Sequence, residues 1–186
     1  MERELLAPEL LRQHATHGTV GGAYPRALEA EFQTGMAEAA IAEISSWPGY
    51  APTPLYSLGK LADQLGIGAV LYKDEEPRFG LGSFKALGGA YAVMLLARKW
   101  LAEKGHGNAA LADIRSGKFA GILKDMTVTC ATDGNHGRSV AWGAEMAGCA
   151  CVIFIHAEVS QGRKLAMEAF GADVRRIDGD YDLSLK

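Results

Sequence analysis

"MTVTCATDGNHGRSVAWGAEMAGCACVIFIHA", residues 126–157, decides how this chain folds. It opens on a β-branched run over 126–132 and passes a corner of glycine, acid and amide. It then turns small and apolar at helical spacing over 135–147. Gly148 stands where a left-handed cap stops such a helix, and "CVIFIHA" at 151–157 reads as a second strand. Further on, the alternation continues with a helix over 160–170, Gly171 as its cap and a strand over 173–179. Strands joined by single helices through short connections predict an α/β fold: a parallel sheet flanked by helices.

Working back from this core, Ser83 to Lys104 carries a long helical pattern marked by Leu87, Ala90, Tyr91, Met94, Leu95 and Arg98, with Ser83 at the N-cap position. Residues 105–125 read as a surface connection with a short helix. "AVLYKDE" at 69–75 reads as a strand, Val70 and Tyr72 alternating against Leu71 and Lys73. Helices are expected over 35–46, ended by three prolines in "WPGYAPTP", over 58–65, and over 3–13 before a Gly-rich break. The final "YDLSLK" reads as the first turn of another helix.

Bulk properties narrow the function. With 48% hydrophobic and 22% charged residues the chain has an ordinary globular composition. A net charge of −3 supplies no field for nucleic acid or an anionic membrane. The N-terminus is charged from its second residue, unlike a signal peptide, and no apolar run nears the roughly 20 residues of a membrane span. Three cysteines, Cys130, Cys149 and Cys151, are too few and odd in number for a disulfide framework. As reduced thiols beside strands they suit a cytoplasmic protein. "HATH" at 14–17 has the helical spacing of zinc ligands but no further ligands, so no metal site is expected. Trp47, Trp100 and Trp142 read as packing residues.

Two corners carry chemistry. In "GSFKALGG", Lys85 lies at a helix start, where free N–H groups attract negative charge. A partly desolvated lysine amine in such a place can attack an aldehyde, although a solvated surface lysine is the commoner role. "GLGSFK" matches neither nucleotide-loop pattern. In "TDGNHG", Asp133 or Asn135 can cap the helix that follows, and the exposed amides suit a carboxylate ligand. Such strand-to-helix turns are where open parallel sheets bind ligands, yet Asp, Gly and Asn are also what any turn uses.

"PTPL" at 52–55, "KDE" at 73–75, "GSFKALGGAYA" at 82–92 and "ATDGNHGRSVAW" at 131–142 resemble, in this order, the motifs of fold-type II pyridoxal-phosphate enzymes, the tryptophan synthase β-like family. The likeness covers about residues 35–180. Within the family the chain looks most like the diaminopropionate ammonia-lyases, because an acid, Asp133, stands where serine and threonine dehydratases have a serine.

The resemblance implies pyridoxal 5'-phosphate as cofactor, with Lys85 joining its aldehyde, Phe84 flanking it and Asn135 bonding its ring hydroxyl. The Asp133, Gly134, Asn135 and His136 loop would take the substrate carboxylate. Asp133 would serve as a base opposite Lys85, so that D- and L-2,3-diaminopropionate both yield pyruvate and ammonia. It further implies residues 1–85 as part of a large cofactor domain, 86–180 as a small α/β domain, and 181–186 as the start of a following helix. Homodimers are usual in the family. The loop that grips the cofactor phosphate and the group facing the pyridine nitrogen would lie beyond Lys186. The 186 residues are therefore expected to be an N-terminal part that binds the cofactor poorly alone. The alternatives are a threonine/serine dehydratase-like lyase and an inactive remnant that acts only as a binding module.

Overall fold

The computed structural model describes residues 33–184. The chain divides into two units, 1–37 and 38–186. The expected helix over 3–13 and the "HATH" motif lie outside the described residues. In chain order the elements are α1 (Thr34–Ser45), β1 (Leu55–Ser57), α2 (Gly59–Leu65), β2 (Leu71–Lys73), a 3-10 turn (Arg78–Gly80), α3 (Lys85–Glu103), α4 (Leu111–Arg115), α5 (Ala120–Leu123), β3 (Thr127–Ala131), α6 (Asn135–Ala147), β4 (Ala150–Ile155), α7 (Gln161–Glu168), β5 (Asp173–Arg176) and α8 (Tyr181–Ser184).

The sheet at the centre of the second unit is parallel, in the order β3-β4-β5, with Val128 opposite Cys151 and Ile153 opposite Val174. Alternation along β4 buries Cys151, Ile153 and Ile155 on one face and leaves Val152 and Phe154 half-buried on the other. That is the pattern of a strand covered on both sides. Met94, Leu101, Ile114, Leu123 and Met167 complete the core. Each large side chain so buried stabilises the fold by roughly 1.5–3 kcal/mol.

Helices α3 and α6 pack through their smallest residues. A Cβ on Gly143 would lie 2.7 Å from the Ala90 Cα, and one on Gly89 would lie 2.6 Å from the Ser139 Oγ. Ser139 is fully buried; its Oγ accepts from the Ala90 amide at 2.9 Å and donates to the Ala86 carbonyl at 3.0 Å. A buried hydroxyl costs free energy unless bonded, and here both capacities are used. Contacts pair Ala86, Gly89 and Ala90 with Ser139, then Ala90 and Val93 with Gly143. The two helices therefore run parallel.

Beside them Trp47, Phe79 and Trp142 form a ring cluster with centroids 5.0–5.8 Å apart, and Trp47 Nε1 donates to Glu43 at 2.8 Å. Trp47 is buried, as a packing residue should be. The "PTP" and "KDE" motifs meet at Arg78, which donates to both Glu75 oxygens, the Thr53 hydroxyl and the Ala51 carbonyl. Those hydrogen bonds from Arg78 hold the Glu75 carboxyl at about 2, against the opposing effect of burial, with Thr53 adding to the depression.

Several expectations need correction. Residues 105–125 are not a surface connection: α4 and α5 bury Leu111, Ile114 and Leu123 in the core. The strand near 69–75 shrinks to β2, which pairs antiparallel with the unforeseen β1, Leu55 opposite Lys73. Every residue of these two strands is exposed, so the alternation read at 70–73 does not sort side chains by burial. Ser83 does not cap α3; Phe84 holds that position and no side chain caps the helix. Neither Asp133 nor Asn135 caps α6, where Gly134 is the capping residue. The capping acceptor is Thr132, whose Oγ1 accepts from the Gly134 and Gly137 amides, both at 3.1 Å.

Candidate active site

The parallel packing of α3 and α6 determines where the two corners lie. Lys85, the first residue of α3, sits one residue from Ala86, which Ser139 holds. Asn135, the first residue of α6, sits about one turn before Ser139, roughly 6 Å along the helix. Both helix starts thus emerge at the same end of the pair, at the carboxyl end of β3. The structure brings the Lys85 corner and the Asp133–His136 corner together. Lys85, Phe84, Asp133, Asn135 and His136 are exposed, and Gly134 is buried. Phe84 stands 63% exposed, an apolar ring at the edge of the site.

Thr132 engages the Gly134 and Gly137 amides, leaving those of Asn135 and His136 without a protein acceptor among the described residues. Two free amides at the start of a 13-residue helix favour an anion. Arg163 donates to the Asp133 carbonyl at 3.1 Å, and Arg138 donates to the Leu81 carbonyl at 3.0 Å. A cavity of about 160 Å³ lies alongside, lined by Gly134, Asn135, Arg138, Gly162, Arg163 and Ala166.

The sequence reading missed Thr132, Ser139, Arg138 and Arg163. Only Ser139 left a usable signal: a small polar residue among Gly137, Ala141, Gly143 and Ala144, facing the small residues of α3. The donor set suits an aldehyde cofactor that carries anionic and phenolic oxygens. It offers a primary amine for the aldehyde, an amide side chain for a ring oxygen and unpaired backbone donors for an anion. Among the described residues no cluster of three or more His, Cys, Asp or Glu could hold a metal. No helix there is long and apolar enough to cross a membrane.

The chain is 41% identical over 143 residues to the diaminopropionate ammonia-lyase of Salmonella typhimurium, an alignment covering 73% of this chain and 33% of the relative. To the Escherichia coli enzyme it is 43% identical over 134 residues, 72% of this chain and 32% of that protein. The crystal structure of the E. coli enzyme in complex with an aminoacrylate-PLP azomethine reaction intermediate superposes with a TM-score of 0.67 at 38% identity. That match covers 83% of this chain and 37% of the other. The chain spans about a third of the length of the curated relatives it matches. Residues 46–186 match the family model described as pyridoxal-phosphate dependent enzyme. The chain belongs to the pyridoxal-phosphate dependent enzyme family.

Proposed function

We propose that this chain carries the lysine and acid corners of a pyridoxal-phosphate dependent lyase that eliminates the β-amine of 2,3-diaminopropionate as ammonia, after which hydrolysis by water gives pyruvate and a second ammonia. The observation that carries this reading is the Ser139 bridge, which holds the first turns of α3 and α6 side by side. When bound, the cofactor supplies an electron sink for the carbanion formed at Cα. The rest falls to the protein. Lys85 holds the cofactor through its amine, with Phe84 flanking the ring and Asn135 on the ring oxygen. The free amides of Asn135 and His136 hold the substrate carboxylate. The Asp133 carboxylate attracts the β-ammonium and accepts the α-proton of one stereoisomer, while Lys85 accepts that of the other. A serine at 133 would draw an ammonium only weakly, so a diamino acid is favoured over serine or threonine as substrate.

We extend the proposal to organisation. Residues 1–85 form part of a larger cofactor domain, 86–180 a small domain and 181–186 the start of the next helix. The assembly is a homodimer in the cytoplasm, in keeping with three free thiols.

The test is 2-oxo acid release with pyridoxal phosphate added: pyruvate from D- and L-2,3-diaminopropionate and from serine, and 2-oxobutyrate from threonine. It is run on the chain alone and with a polypeptide supplying the C-terminal part of the E. coli relative. Asp133→Asn should abolish turnover of the D isomer and spare cofactor absorbance. Near-normal D turnover in that variant removes Asp133 as the base, and faster deamination of serine or threonine removes diaminopropionate as the substrate.

A further inference from the structure

Arg138 has no part in the chemistry above, yet it reaches from the Asp133–His136 corner to the loop that leads into Lys85. Its Nη1 donates to the Leu81 carbonyl at 3.0 Å and its Nη2 to the Gly80 carbonyl at 3.4 Å. Its guanidinium lies 5.9 Å from the Phe170 ring, and its Nε is buried without an acceptor among the described residues. A buried donor left unpaired is a cost that an apolar side chain would not carry. What arginine adds is a planar fork that reaches two successive carbonyls at once.

That loop needs holding. Phe79 has a φ of 50°, Gly80 of 70° and Gly82 of 74°, so three of the residues 79–82 are left-handed. For Phe79, which has a Cβ, this conformation is unfavourable and persists only when the surroundings impose it. Trp142 of α6 packs on the Phe79 ring at 5.0 Å, one helical turn beyond Arg138. Helix α6 therefore grips the loop twice, at the Phe79 ring and at the carbonyls of Gly80 and Leu81.

We propose that Arg138 is a positioning residue that fixes the loop before Lys85 against the Asp133–His136 corner and so sets where the Lys85 amine stands. The role assigned to Lys85 rests on the proposed function; the tether itself does not. With the loop free, Lys85 keeps its helix but loses its fixed approach, and a misplacement of about 1 Å is enough to cost a reaction two orders of magnitude.

Amide exchange read by mass spectrometry on the chain without cofactor tests the tether. Arg138→Ala should speed exchange over residues 79–88 by about tenfold or more and leave the amides of β4 unchanged. Methylguanidinium should restore protection, and Arg138→Lys, which serves if the alanine variant fails to fold, should not. Unchanged exchange over 79–88, or a rise matched in β4, overturns the proposal. Reductive trapping with pyridoxal phosphate then compares the adduct at Lys85 with that at exposed Lys60. The ratio should be above one in the parent chain and fall in Arg138→Ala; an unaltered ratio overturns the positioning role. A parent ratio of one would count against the cofactor reading instead, and exchange would still decide the tether.

Discussion

Gly88 and Gly89 are neighbours in α3, and alanine should act on them in opposite directions. Neither has a positive φ, so alanine gains helix propensity at both, about 0.8–1 kcal/mol. At Gly88 a Cβ meets nothing within 4 Å among the described residues, and that gain is the whole effect. For a domain of this size it raises the melting temperature by roughly 2–4 °C. At Gly89 the new Cβ would sit 2.6 Å from the Ser139 Oγ, 2.9 Å from its Cβ and 3.2 Å from the Val140 amide nitrogen. The Ser139 side chain is pinned between Ala86 and Ala90, so relief requires either breaking those bonds or moving the helices apart. Overpacking costs about 1–3 kcal/mol and each lost hydrogen bond about 0.5–1.5 kcal/mol. With overpacking and both bonds lost, less the propensity gain, Gly89→Ala is destabilised by about 1–5 kcal/mol, or roughly 2–20 °C. Circular dichroism melts of the two variants beside the parent measure the difference. Equal shifts of the same sign would refute the claim that α3 and α6 meet backbone to side chain at this point.

Other consequences can be checked as directly. The Glu75 carboxyl is ordinarily at 4.5 and is held at about 2 in the fold, so it stabilises the protein above about pH 4.5 and loses that effect as pH falls toward 2. Melting temperature should drop more between pH 5 and pH 3 in the parent than in Glu75→Gln; parallel curves would exclude the Arg78 pairing as the cause. Burial pushes the thiols of Cys130 and Cys149 up to about 11 and that of Cys151 up to about 12. Alkylation by iodoacetamide at pH 8 should therefore be slow in the folded chain and fast in urea, whereas equal rates would mean the thiols are open. Thr132→Val keeps the volume but removes the acceptor for the Gly134 and Gly137 amides. A loss of about 1–3 kcal/mol in urea melts is expected, and a neutral result would show that water replaces the cap.

The sequence was most legible where short-range pattern suffices. The span of α6 follows from small residues at helical spacing between Gly134 and Gly148, and Gly148 does take the left-handed cap, with a φ of 74°. The strands around it are β-branched runs whose partners follow in sequence, so the parallel order needs no distant information. Elements whose reasons lie far away were not legible. β1 is three residues long and exists through its pairing with β2, 16 positions downstream at Tyr56 and Tyr72. α4 is barely one turn, too short for a period to show, and its burial comes from the core around it.

The same contrast applies to the site. The groups with reactive chemistry, Lys85 and Asp133, stand in motifs that can be read locally. The groups that bring them together, Ser139 and Arg138, act across 49–58 residues. Convergence of two helix starts requires the axes to approach closely, and only glycine at 89 and 143 permits that approach. The Ser139 hydroxyl that this close approach buries is bonded on both sides. A lysine and an acid in the right motifs therefore form a candidate site in this chain because two glycines and a serine let their helices touch.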